Sequence, residues 1–236
     1  MGLHADCIHG RYSPFVPAVA VSDAEDFWTR APALFALASE VGDALETSAT
    51  TDPVAARIRR LAAGIPETPE PLSDMDPYLR SALLTAVIHA MRAEEESNRG
   101  ELRVAVERIR QALRDLLDEQ PVWRGGPKDA AIWLRRQNLS VDSLVELLHA
   151  SETTVRRWTS ADDPTEPSGD AGDRVMVIAK VVNHLRHSMT PRGTVQWLLR
   201  PHPALDDRRP VDELKDPTSY RMLINLASGT RSFHPT

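Results

Sequence analysis

The sequence predicts an all-α fold, with an N-terminal helical domain, a pair of short helices in the middle and a C-terminal helical domain. Ala, Leu and Arg recur throughout, while aromatics make up only 5% of the 236 residues. Straight-chain residues lose little rotamer freedom in a helix, so this bias favours helix over sheet. Runs of Val, Ile, Thr and Tyr at period 2 are scarce, so the strand signal is weak from end to end. Apolar residues account for 42%, enough to bury a core. A chain of this length divides most naturally into two folded units.

Residues 1–21 carry two prolines, Pro14 and Pro17, and no helical period, and read as an extended arm. Ser22, followed by Asp23, Glu25 and Asp26, suits a helix start with acids near the positive end of the dipole. That helix carries Phe27, Trp28, Leu34, Phe35, Leu37 and Val41, with a break expected near Pro32. Pro53 opens a short helix with Ile58 and Leu61, before a Pro-rich acidic connector over 64–71. Asp76 and Pro77 start a long helix ending near Gly100, its stripe formed by Leu84, Val87, Ile88 and Met91. The next helix, 101–119, spaces Leu102, Val106, Ile109, Leu113 and Leu116 as a heptad seam. Such a seam faces either the chain's own core or a second copy. Pro121 and Gly125 to Pro127 mark a linker, so 22–120 forms a helical domain of unassigned role, with dimerisation one option.

The sharpest local pattern is LSVDSLVELLHASETTVRRW over 139–158, within a unit of linker and helix pair spanning 121–163. Ser140 caps a helix with Leu144, Val145, Leu147 and Leu148 as its apolar positions, Ala150 and Ser151 turn the chain, and Ser151 caps a second helix. Val155 and Trp158 then face back, which leaves Glu152, Thr153, Thr154, Arg156 and Arg157 as candidates for DNA contact. Arg can bond two acceptors on a guanine edge, and Thr can touch a thymine methyl or a phosphate. The pattern resembles the Xre-type helix-turn-helix. It departs from it at Val145, where that motif has a small residue, and at His149, where it has Gly. The alternative is a hairpin that only packs. Across 128–160, five basic residues including Lys128 face four acidic ones, a thin electrostatic footprint.

Residues 161–172 read as an exposed loop. A helical stripe follows over 174–188 with Val175, Ile178, Val182 and Leu185, and the segment 173–236 forms the last unit. Trp197 and Leu198 end a short helix, Pro201 and Pro203 break it, 205–209 turn, Pro210 starts a new helix, and Asp216 and Pro217 lead into a last helix closed by Gly229. This order resembles the Xre/MbcA/ParS toxin-binding domain, with Trp197, Leu198, Pro201, Pro203, Leu205, Pro210, Leu214 and Gly229 at matching places. Asp206 and Asp207 replace the glycine pair of that family, so an altered turn is expected, and Lys215 stands where a second Leu is common. Together with the upstream pair, the resemblance covers about 129–236.

The resemblance implies an antitoxin. Such a protein neutralises a RES-domain toxin that degrades NAD⁺ and represses its own operon by binding double-stranded operator DNA. It also points to the last helix and tail, with Tyr220, Arg221, Asn225, Thr230 and Arg231, as the toxin contact. Two-fold operators imply a homodimer. Trp197, Leu205 and Leu214 read as core. Two alternatives stay open. One is a stand-alone DNA-binding regulator without a toxin, and the other is a protein-interaction module that does not bind DNA.

The net charge of −6 excludes a global basic field. One cysteine, Cys7, excludes an intramolecular disulfide. Its neighbours His4 and His9 leave a zinc set incomplete. No basic start followed by an apolar run opens the chain, and no stretch approaches a membrane span, so a cytoplasmic protein is the expectation. No P-loop, G-x-S-x-G, G-x-G-x-x-G or H-E-x-x-H motif occurs, and no catalytic residue or cofactor is assigned. His184 and His187, three apart on one helix, make a weak metal pair. Asp74 and Asp76 read as capping residues.

Overall fold

The computed structural model describes residues 27–47, 52–66 and 76–232. The arm with His4, Cys7 and His9, the helix start at Ser22 to Asp26, Asp74 and most of the Pro-rich connector lie outside the described residues. Among those described, helices and 3₁₀ turns account for the regular structure, with no strand. None of these helices is long and apolar enough to cross a membrane.

The first half comprises α1 (Phe27–Thr47), α2 (Asp52–Gly64), α3 (Pro77–Glu95) and α4 (Arg99–Trp123), with α4 packed between α1 and α3. Helix α1 continues through Pro32 rather than ending there. A missing amide donor is affordable where seven side chains from Phe27 to Leu45 bury into one core. Asp76 caps α3 as its sequence position suggested, its Oδ1 accepting from the amides of Tyr78 (2.8 Å) and Leu79 (3.1 Å).

The inward face of α3 differs from the expected stripe. Leu79, Leu83, Ala86, Ala90 and Ala93 are buried, while Leu84, Val87 and Met91 are only half-buried and Ile88 is 66% exposed. Helices α3 and α4 form the most extensively packed pair of the fold. Small alanines let two backbones close together, and that approach decides which face turns inward. Helix α3 also stops at Glu95, before the expected end near Gly100, because Ser97 turns left-handed and Asn98 caps α4 through the amide of Glu101. On α4, Leu102, Val106, Ile109, Leu113 and Leu116 are each at most 1% exposed. The heptad seam is therefore the chain's own core.

Helix α4 continues through Pro121 to Trp123, past the expected end near Glu119. The reason is packing, because Val122 is fully buried in the second core. Gly125 then permits a sharp exit, since a Cβ there would lie 2.5 Å from the Pro121 carbonyl oxygen.

The second half comprises α5 (Pro127–Arg136), α6 (Val141–Leu148), α7 (Glu152–Thr159), α8 (Gly169–Leu185), α9 (Pro191–Leu199), α10 (Pro210–Glu213) and α11 (Tyr220–Ser232). Helix α8 starts at Gly169, inside the segment expected to be a loop, with Asp170 in its first turn. It contacts α4, α5, α6 and α11.

The halves meet through buried acids. Glu119 of α4, fully buried, takes Arg186 Nη2 at 3.3 Å and His187 Nε2 at 3.2 Å on Oε1, and the Trp123 indole N–H at 3.2 Å on Oε2. Asp76, also fully buried, has its Oδ2 2.8 Å from His184 Nδ1, close enough for an ion pair though not aligned as a hydrogen bond. The two histidines thus face different carboxylates, and no group of three metal-ligating side chains forms among the described residues. Truncating a buried acid strands its cationic partners. Glu119→Ala is expected to cost about 3 kcal/mol, measured by urea denaturation. A loss under about 1 kcal/mol, the range of an exposed pair, would show that the junction is solvated.

Candidate nucleic-acid and partner interfaces

Ser140 accepts the amide of Ser143 at 3.0 Å and starts α6, and Ser151 accepts the amide of Thr154 at 3.2 Å and starts α7. Between them His149 adopts φ 51° and ψ 42°, the left-handed conformation that glycine occupies without strain. The turn is left-handed with a side chain at its apex, and histidine carries the strain. Arg174 of α8 donates to the Leu148 carbonyl at 3.0 Å and closes the end of α6. Leu144, Leu147, Leu148, Val155 and Trp158 are buried, and α7 packs on both α5 and α6.

The outward face of α7 carries Glu152, Thr153, Arg156 and Arg157, all exposed. Thr154 does not join them. It is half-buried, and its hydroxyl lies 2.7 Å from Ser151 Oγ. Both arginines already have acidic neighbours. Glu152 Oε1 receives Arg156 Nη2 at 2.6 Å and Nε at 2.8 Å, one turn apart on the same helix. Arg157 Nε reaches Asp163 Oδ2 at 3.3 Å. Lys128, counted in the sequence as part of the basic footprint, donates to the carbonyls of Arg157 (2.8 Å), Asp163 (2.8 Å) and Thr165 (3.0 Å). An ammonium has three protons to donate, so Lys128 clamps the loop after α7 onto α5. Sequence reasoning missed this role because the acceptors are backbone atoms 29 to 37 residues away.

At the other end, α11 packs on α8. It does not stop at Gly229 but runs to Ser232, with Thr230 Oγ1 donating to the Leu226 carbonyl at 3.3 Å. Of the residues proposed from sequence, Arg221 and Asn225 are exposed. Tyr220 is half-buried, its hydroxyl donating to the Leu214 carbonyl at 3.4 Å, and burial pushes its pKa up. Thr230 is half-buried, and the side chain of Arg231 lies outside the described residues. Met222, 40% exposed, joins Arg221 and Asn225 on the outer face of α11. Its position next to inward Leu223 is the signal that could have found it. Leu205 and Leu214 are core, whereas Trp197 is half-buried and meets the His202 ring edge-on at 5.6 Å. Asp206 and Asp207 both adopt positive φ, 53° and 59°, so the aspartates accept a left-handed turn.

Two expectations follow. His149→Gly relieves a left-handed side chain and is expected to raise stability by roughly 0.5–1 kcal/mol after glycine's entropy is counted, read from a urea midpoint. The Thr165 side chain and amide, helped by Arg157, hold the Asp163 carboxyl down at about 2 from an ordinary 3.8. A depressed carboxylate contributes stability above its unfolded pKa and loses it as pH falls through the folded one. The contact is therefore intact above about pH 4 and lost toward pH 2. An NMR titration of Asp163 should show this low midpoint, and Thr165→Ala should move it upward.

Comparison with known proteins finds one informative relative. A protein of Mycobacterium tuberculosis, described as a probable mycobacterial cidal antitoxin, is 37% identical to this chain over 68 residues. The match covers 29% of this chain and 56% of that protein, so the chain spans just over half the relative's length. No family model and no solved structure matches. The chain is thus similar, over a limited stretch, to an antitoxin.

Proposed function

We propose that the chain is an antitoxin-type DNA-binding regulator that neutralises a RES-type toxin and represses its own operon. The observation that carries this reading is the 37% likeness to a mycobacterial antitoxin. The geometry of α7 supports the DNA-binding part. Its apolar side is sealed by Val155 and Trp158, while Glu152, Thr153, Arg156 and Arg157 project from the other side. The exposed Arg221, Met222 and Asn225 of α11 support the toxin-binding part, as an apolar centre flanked by polar groups. On this reading the working species is a cytoplasmic homodimer on a two-fold operator.

A second reading, an interaction module that leaves DNA alone, has a specific observation in its favour. The two arginines of α7 and Lys128 are all engaged within the chain.

The readings separate by fluorescence anisotropy of the full chain on DNA from upstream of its own gene, measured across salt. For a DNA binder, Arg156→Ala with Arg157→Ala weakens affinity and flattens the log–log salt slope by roughly 0.9 per lost phosphate contact. Glu152→Gln frees Arg156 and tightens binding. No binding at low salt, with a co-expressed RES-type toxin still retained, selects the second reading. Met222→Asp should then release that toxin in either case.

A further inference from the structure

A cavity of about 360 Å³ opens where the two halves meet, at the small end of the range of roughly 300–1,000 Å³ typical of ligand sites. Helix α4 contributes Gln111 and Asp115, the turn after α5 contributes Gln137, the turn after α8 contributes Arg186 and His187, and α9 contributes Thr194. Two of these groups are short of partners. Thr194 is 1% exposed, and its hydroxyl has no hydrogen-bond partner among the described residues. The hydroxyls of Thr159 and Thr230 donate to the carbonyl four residues back, at 2.8 and 3.3 Å, and that of Thr194 does not. A buried hydroxyl left without a partner keeps its desolvation cost. Asp115 is half-buried. Its Oδ1 accepts from Gln111 Nε2 at 2.8 Å, and it forms no ion pair among the described residues. Burial raises its pKa against the opposing pull of His187.

The charge of the cavity selects the ligand. Arg186 is already committed, giving Nη1 to Asp118 at 2.6 Å and to Gln137 at 3.3 Å, Nη2 to Glu119 at 3.3 Å and Nε to Asn183 at 3.0 Å. The carboxylates Asp115, Asp118 and Glu119 outnumber Arg186 and His187 even when the histidine is protonated. Such surroundings repel a carboxylate or phosphate. The rest of the wall is apolar, formed by Leu139, Val182 and Met189. We propose that this cavity binds a small organic cation, a primary ammonium on a short alkyl chain. The ammonium donates to the Asp115 carboxylate and the Thr194 hydroxyl, and the chain lies along Leu139, Val182 and Met189. An ammonium has three protons to donate and accepts none, which matches two oxygens that lack a donor. An inorganic cation leaves the apolar wall in water, and a neutral alcohol leaves Asp115 without a counter-charge. Because both halves line the cavity, an occupied site ties them together and raises the stability of the whole chain. This site does not depend on the DNA-binding or toxin-binding reading.

Isothermal titration calorimetry of the full chain with n-butylammonium chloride tests the proposal, with n-butanol and potassium chloride as comparators. Butylammonium is expected to bind saturably at one site, and both comparators about tenfold or more weaker. Asp115→Asn keeps the shape of the side chain and removes its charge, and should weaken butylammonium about tenfold or more. Thr194→Val removes the hydroxyl alone and should weaken it severalfold. Thermal melts of each variant show whether it is folded, and butylammonium should raise the melting temperature of the unmodified chain more than that of either variant. The absence of saturable binding at millimolar butylammonium would overturn the proposal. So would butanol or potassium binding as tightly as the amine, or a folded Asp115→Asn chain that binds it unchanged.

Discussion

Two carboxylates with no exposed surface, Asp76 and Glu119, lie where the halves of the chain meet, and both are answered by the end of α8 and the turn after it, through His184, Arg186 and His187. Removing a charge from water costs several kcal/mol, which its partners must return through well-made contacts. Such a cluster tolerates few alternative arrangements, so it fixes register more than it adds stability. Trp123 completes it, donating to Glu119, meeting His184 edge-on at 6.0 Å and lying under the Lys180 ammonium at 5.4 Å. Helix α8 is thereby held against α4, and both candidate surfaces depend on α8. Helix α11 packs on it directly, and α7 is placed through α5 and α6, which pack on it in turn.

The self-pairing of the α7 arginines looks at first like an obstacle to DNA binding. Magnitudes argue otherwise. Exposed pairs such as Arg156 with Glu152 are typically worth up to ~1 kcal/mol, while a bidentate guanine contact is worth ~1–3 kcal/mol. On the proposed DNA-binding reading, the acids therefore lower affinity without forbidding the contact. Lys128 differs in kind, because its three bonds go to backbone that a phosphate would have to displace at once.

Left-handed residues recur at the connections: Ser97, Asn138, His149, Asp206 and Asp207, with Gly169 the only glycine there among the described residues. Asn, Asp and His are found in this region more often than other side chains bearing a Cβ, and His149 still carries the Cβ that glycine lacks. Its conformation persists because Ser151 capping α7 and Arg174 closing α6 hold the chain on either side of it.

The sequence by itself determined the helical class, the caps at Asp76, Ser140 and Ser151, and the heptad spacing on α4, leaving open whether that seam faced its own core or a second copy. Each of these depends on residues within a turn or two, where spacing and hydrogen-bonding chemistry are local. The inner face of α3 was not legible, because its period fits two faces and only close packing against α4 chose the alanines and left Ile88 outside. Nor was the exposure of Met222, the clamp made by Lys128, or the junction itself. Glu119 and His187 lie 68 positions apart, and nothing in a local pattern records which distant acid a histidine will meet. Only the tertiary structure decides such pairings, because they are set by where whole helices come to rest.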